Sequence, residues 1–265
     1  MHEGCRVTGG QEGGVFAHDC CKGSLDGVVV DGNASYGVRV SRRGCPAVRS
    51  CTVSGSANGV VVRRFGLGTF SDNTISCCSF DGVRVELNGN PRMFDNRIGR
   101  ACAQHAVRVV DHGCGVFQGN ELESGGDASA GRGAGCVRVE GPGSRPLFLH
   151  NTLLAASTSA AVRCADGGRG TFMHNAVHGG ASSVVVEGCT VGNVGSASPS
   201  SSGPSIRQNT LQGALTCGLT VLEGGRGEFV ANELSVSDAA LCAVDLGCET
   251  CAVLDGNVMR GGRIA

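Results

Sequence analysis

Gly82-Val83-Arg84-Val85-Glu86-Leu87-Asn88-Gly89-Asn90-Pro91-Arg92-Met93-Phe94-Asp95-Asn96-Arg97-Ile98 holds three short apolar stretches, around Val83 and Val85, Met93 and Ile98, separated by Asn, Gly, Pro and Asp. Apolar residues two apart mark strands, and those separators mark turns. The arrangement recurs outward in both directions. The Gly-Val-x-Val stretch, or a close relative of it, places its first apolar residue at Val38, Val60, Val83, Val107, Val137, Val162, Val184, Leu219 and Val244, at intervals of 22 to 35 residues. An asparagine column follows in each unit: Asn73, Asn96, Asn120, Asn151, Asn175, Asn209, Asn232 and Asn257, with Cys51 in that place one unit earlier. Two residues after each stands Val53, Ile75, Ile98, Leu122, Leu153, Val177, Leu211, Leu234 or Met259. Three residues before stands Val48, Phe70, Met93, Phe117, Phe148, Phe172, Ile206, Phe229 or Leu254.

Three strands per unit close a triangular coil, and coils stack like on like at about 4.8 Å. The expected fold is all-β: a right-handed parallel β-helix, or β-solenoid, with three short strands per coil and about nine or ten coils, on the order of 45 Å long. The apolar columns become inward ladders. The asparagines become a structural ladder at the bend between strands two and three, because a side-chain amide donates and accepts at once and can pair groups that the bend leaves over. Composition agrees: 45 Gly without a three-residue period is not collagen, and 41% hydrophobic with 17% charged residues is not disorder. Leucine-rich repeats want Leu at more positions and one strand per turn. The whole chain, residues 1–265, reads as one domain, with an irregular first turn over 1–36 (Phe16, Asp19 and Cys21 in column positions) and inserted loops at 123–135 and 187–204.

The Gly82–Ile98 unit resembles the right-handed parallel β-helix repeat of the pectate-lyase-like superfamily. The same repeat occurs in periplasmic copper-maturation proteins and in eukaryotic F-box and SHC-binding proteins. The resemblance covers roughly residues 37 to 260. It implies a substrate cleft along the outer face of strand one in the enzymes, and a binding surface in the modules.

The outward residue of Gly-Val-x-Val is Arg39, Val61, Arg84, Arg108, Arg138, Arg163, Val185, Thr220 and Asp245 in turn. Arg39, Arg84, Arg108, Arg138 and Arg163 therefore form a candidate basic stripe, with Arg63 beside it. Glu86 and Glu140, two residues further on in alternate coils, are placed to neutralise it. The calcium-binding Asp cluster that the resemblance implies for polysaccharide lyases has no counterpart, and no two carboxylates stack in adjacent coils for a hydrolase. With no Trp, one Tyr (Tyr36) and Phe mostly in the core column, sugar platforms are missing too, and there is little to stack on a sugar ring.

His150 and His174 precede the column asparagine in adjacent coils and form two ligands of a zinc site that needs two more; solvated bend residues are the plainer interpretation. Cys248-Glu-Thr-Cys251 is half a zinc motif. The 16 cysteines scatter over core and corners and, without a leader peptide, are expected to be reduced thiols; the sequon Asn33-Ala-Ser35 is discounted on the same ground. No catalytic residue, metal or cofactor is assigned.

A net charge of −1 excludes a global electrostatic nucleic-acid binder, and no run of 18 apolar residues crosses a membrane. The expectation is then a non-catalytic, intracellular and cytoplasmic protein-interaction or scaffold module. It would bind protein partners through the stripe and by capping of the solenoid ends, one variant being a component of a cytoskeletal assembly. The alternative is a carbohydrate-active enzyme or glycan-binding protein of the pectate-lyase-like class.

Overall fold

A computed structural model of the chain describes residues 4–124, 134–188, 203–222, 224–237 and 242–261. These residues form three parallel sheets of 10, 10 and 11 strands and contain no helix. Sheet 1 carries the Gly-Val-x-Val strands, sheet 2 the Phe column and sheet 3 the Ile column. The chain visits the three in rotation, so every strand pairs in parallel with its equivalent one coil away.

Side-chain alternation fixes which residues face inward. Val83 pairs with Val60 and Val107, Met93 with Phe70 and Phe117, and Ile98 with Ile75 and Leu122, and all of these are buried. The Phe column stacks as expected: Phe117 and Phe148 lie 4.6 Å apart, and Phe148 and Phe172 4.9 Å apart with parallel rings. Offset-stacked rings at this separation add about 0.5–1.5 kcal/mol per pair beyond burial.

The asparagine ladder runs unbroken. Oδ1 of Asn96 accepts from both the backbone N and Nδ2 of Asn73, at 3.0 and 2.9 Å, while Asn73 Nδ2 also donates to the Val48 carbonyl. The pattern repeats up to Asn257, which accepts from Asn232. At the lower end Cys51 donates its N–H to Asn73 Oδ1, and its Sγ accepts from Val28 N. The residue just before each column position turns the bend in the left-handed region, with φ between 51° at Ser50 and 68° at Gly119.

The expected irregular first turn is corrected. Residues 6–31 supply full members of the sheets, Arg6–Thr8, Gly13–Ala17, Ser24–Asp26 and Val29–Asp31. Leu25 stands below Val48 and Val30 below Val53. The Gly-Val-Val-Val at 27–30 thus runs from the bend into the third strand of its coil, Val29–Asp31, with Gly27 at the left-handed bend (φ 59°) and no asparagine to flag it. Phe16 lies outward, paired with Arg39, and is 41% exposed. Most of both inserted loops, residues 125–133 and 189–202, lies outside the described residues.

Every described cysteine is a free thiol. Burial pushes the Cys136 and Cys164 thiols up to about 12. Asn33 is buried, its side chain accepting from Gly10 N and donating to the Val7 and Asp31 carbonyls, so it is part of the fold.

Candidate functional site

The outer face of sheet 1 is where the chain concentrates its charge. Strand register brings Arg84, Arg108, Arg138 and Arg163 into one column of consecutive coils. Below Arg84 the column continues through Val61 and Arg39 to Phe16, and above Arg163 through Val185, Thr220 and Asp245. The guanidiniums are half-buried, their side chains 20 to 30% exposed.

Each is held by a carboxylate. Glu86 bridges Arg63 at 3.1 Å and Arg84 at 2.8 Å. Glu140 bridges Arg108 at 2.8 Å and Arg138. Glu187 pairs with Arg163 at 2.6 Å and Glu12 with Arg39 at 2.8 Å. This explains the alternate-coil spacing of Glu86 and Glu140: one carboxylate reaches the guanidiniums of two coils. Burial pushes the Glu140 carboxyl up, but the Arg108 hydrogen bond and the Arg138 and Arg108 charges outweigh it and hold the group below the usual 4.5. Burial likewise opposes the charge on Arg84, and its bond to Glu86 more than compensates.

A second outward column, three residues before the arginines, was not singled out in the sequence. It contains Tyr36, Asn58, Asp81 and His105. Asp81 is fully buried and His105 is 4% exposed, and the His105 Nδ1 lies 2.9 Å from Asp81 Oδ1. With an ionised Asp81 as acceptor, His105 Nδ1–H is the donor of this bond. Among the described residues Asp81 Oδ2 has no hydrogen-bond partner, and it faces Arg84 Nη1 at 3.7 Å. The signal was present: Asp81-Gly-Val-Arg84-Val and His105-Ala-Val-Arg108-Val share one offset in adjacent coils.

At the lower end, Arg39 packs between two rings, its Cζ 4.1 Å from the Phe16 centroid and 4.5 Å from that of Tyr36. Burial pushes the Tyr36 phenol up and keeps it neutral. Phe16 thus adds an outward ring to a face for which the sequence offered little to stack on a sugar.

His150 and His174 do stack at their bends, centroids 5.0 Å apart. Among the described residues no group of three or more His, Cys, Asp or Glu side chains is arranged to hold a metal ion, so the pair gains no third ligand.

Several solved structures share the fold. The Azotobacter vinelandii mannuronan C-5 epimerase AlgE4 A-module is similar over 97% of this chain and 84% of its own, with 15% identity and a TM-score of 0.63. The Agl-KA catalytic domain is similar over 91% of this chain and 53% of its own, with 10% identity and a TM-score of 0.54. No curated protein matches by sequence. The neighbours' titles name an epimerase of a polysaccharide and a catalytic domain, which overturns the expectation of a non-catalytic scaffold module. Capping protein partners and the likeness to F-box and SHC-binding solenoids find no support among them. The family model described as "Right handed beta helix region" matches residues 2–153, more than half the sequence, and the chain belongs to that family.

Proposed function

We propose that the chain is a carbohydrate-active protein that binds a linear, carboxylated polysaccharide along the outer face of sheet 1 and moves a proton on it with His105. The observation that carries this is the buried Asp81–His105 pair set beside Arg84 and Arg108 on one face. A sugar-ring proton next to a carboxylate becomes acidic only when that carboxylate's charge is balanced, and a positioned imidazole is a suitable base at neutral pH. Each guanidinium has five N–H donors, and the ion pairs in place engage one or two of them. The remainder can face a uronate. Asp81 orients the ring and stabilises its cationic form once the proton has moved. The carbanion then takes a proton from solvent on the other face, giving the epimer, while His105 returns its own proton to solvent, or it expels the neighbouring glycosidic oxygen, which takes the proton that His105 carries, directly or through water, as the C–C double bond forms.

One neighbour of matching fold is, by its title, an epimerase of mannuronan. A hydrolase is less well served, because Glu86, Glu140 and Glu187 are committed to arginines and Glu140 is held ionised. The test is incubation of polymannuronate and polygalacturonate with the protein in D2O, reading deuterium at C5 and unsaturated ends. His105→Gln should lower turnover about 10²–10⁴-fold with the fold intact, and Arg84→Ala/Arg108→Ala should weaken binding. Equal binding of neutral glucans, or exchange unchanged in His105→Gln, would sink the reading.

A further inference from the structure

Cys217 and Cys242 stand opposite one another on the paired strands Cys217–Val221 and Cys242–Leu246 of sheet 1, and their Sγ atoms are 3.3 Å apart. We propose that they form a redox-modifiable dithiol that takes a small-molecule disulfide as co-reactant and closes into a cross-link between successive coils. Neighbouring parallel strands lie about 4.8 Å apart, inside the ~4.4–6.8 Å span of Cα atoms that a disulfide bridges, and the sulfurs need only close to about 2.05 Å. Side-chain rotation suffices, and the backbone register stays.

Access separates this pair from the other close thiols. Cys78 and Cys102 also interact across adjacent coils, but both are buried in the core, at 2% and 1% exposure, where no co-reactant reaches. Cys242 is half-buried on the outer face, with Cys217, 3% exposed, beneath it. Cys217 Sγ donates to the Leu219 carbonyl at 3.0 Å, and burial pushes this thiol up to about 12. Cys242 is accordingly the first nucleophile. Its thiolate attacks the disulfide RSSR, the S–S bond breaks, and one RSH leaves. Cys217 then gives its proton to solvent and attacks Cys242 Sγ, expelling the second RSH. Two protein thiols are oxidised and one disulfide is reduced to two thiols.

The cross-link has a mechanical consequence. In the coil that carries Cys242, Leu254 and Met259 occupy columns that are buried elsewhere, yet they are 39% and 44% exposed. That coil has less apolar burial to hold it, and a covalent tie adds most where other contacts are few. The proposal is independent of the glycan reading.

The experiment treats the whole chain with oxidised glutathione, alkylates remaining thiols and maps peptides without reduction. The expected result is a linked Cys217–Cys242 peptide, loss of two alkylatable thiols, and hydrogen exchange in Cys242–Leu246 slowed on the order of ten-fold, all reversed by dithiothreitol. Cys217→Ser should instead leave a stable glutathione adduct on Cys242. A wild-type protein that stops at that adduct, or links Cys248 to Cys251 and leaves this pair reduced, would overturn the proposal.

Discussion

Asn120 concentrates most of what a single side chain contributes to this molecule. Its Oδ1 accepts from Asn96, its Nδ2 donates to the Met93 carbonyl and to Asn151 Oδ1, and it is 1% exposed. Asn120→Ala strands these groups, and unpaired buried polar groups cost about 1–3 kcal/mol each. Urea denaturation should show a loss of roughly 2–4 kcal/mol. Asn120→Asp keeps the shape and loses the donor, turning a carboxylate toward two acceptors. It should be destabilised at pH 7 and regain part of the loss in acid, where the carboxyl carries a proton it can donate. A stability independent of pH in that variant would argue against the ladder. Cys51 offers the reverse test, since its thiol occupies an asparagine position and holds Val28 N at 3.4 Å. Cys51→Asn should extend the ladder and raise stability by about 1 kcal/mol.

Among the elements, the strands of sheet 2 are three residues each over most of the rod, and each buries one large side chain. Such short strands are stable only because the next coil supplies both the hydrogen bonds and the packing surface. Phe148 sits between Phe117 and Phe172, so Phe148→Ala opens a cavity with rings on both sides. Thermal or urea unfolding should show about 3–5 kcal/mol lost, against about 1 kcal/mol for Phe148→Leu, which fills most of the space. The strands of sheet 1 differ in presenting the candidate site on the outside of the same register. There the inward valines fix the spacing of the outward arginines, so the geometry of the candidate site is a by-product of core packing.

For the molecule as a whole, the arginine face makes stability depend on pH. The folded-state pKa of Glu140 lies below its ordinary value of 4.5, so between the two the unfolded chain binds more protons than the folded one. The stabilisation is complete above that ordinary value and disappears as pH falls through the depressed one. Protonation also leaves Arg108 and Arg138 facing each other without their shared partner. Denaturation midpoints should therefore drop below about pH 4.5, and Glu140→Gln should be less stable than wild type at pH 7 with a flatter acid limb. Identical pH profiles for the two proteins would remove Glu140 from the account.

The periodicity of Gly-Val-x-Val, the Phe and Ile columns and the asparagines determined the fold by itself, since in a solenoid neighbours in space are neighbours one unit along the sequence. That same logic placed Arg84 over Arg108 and Arg138 correctly. It missed residues 6–31, where Gly27 and Val28 stand in for the bend residue and asparagine, because the bend depends on backbone conformation and pairing that more than one residue type can satisfy. Only the tertiary structure decided what surrounds the arginines. Whether Glu86 reaches one guanidinium or two, whether Asp81 meets His105, and whether Cys217 touches Cys242 depend on side-chain direction and on distances of a few ångströms. A repeat pattern specifies the coil on which each residue sits, while charge pairing, burial and proton position are settled between coils.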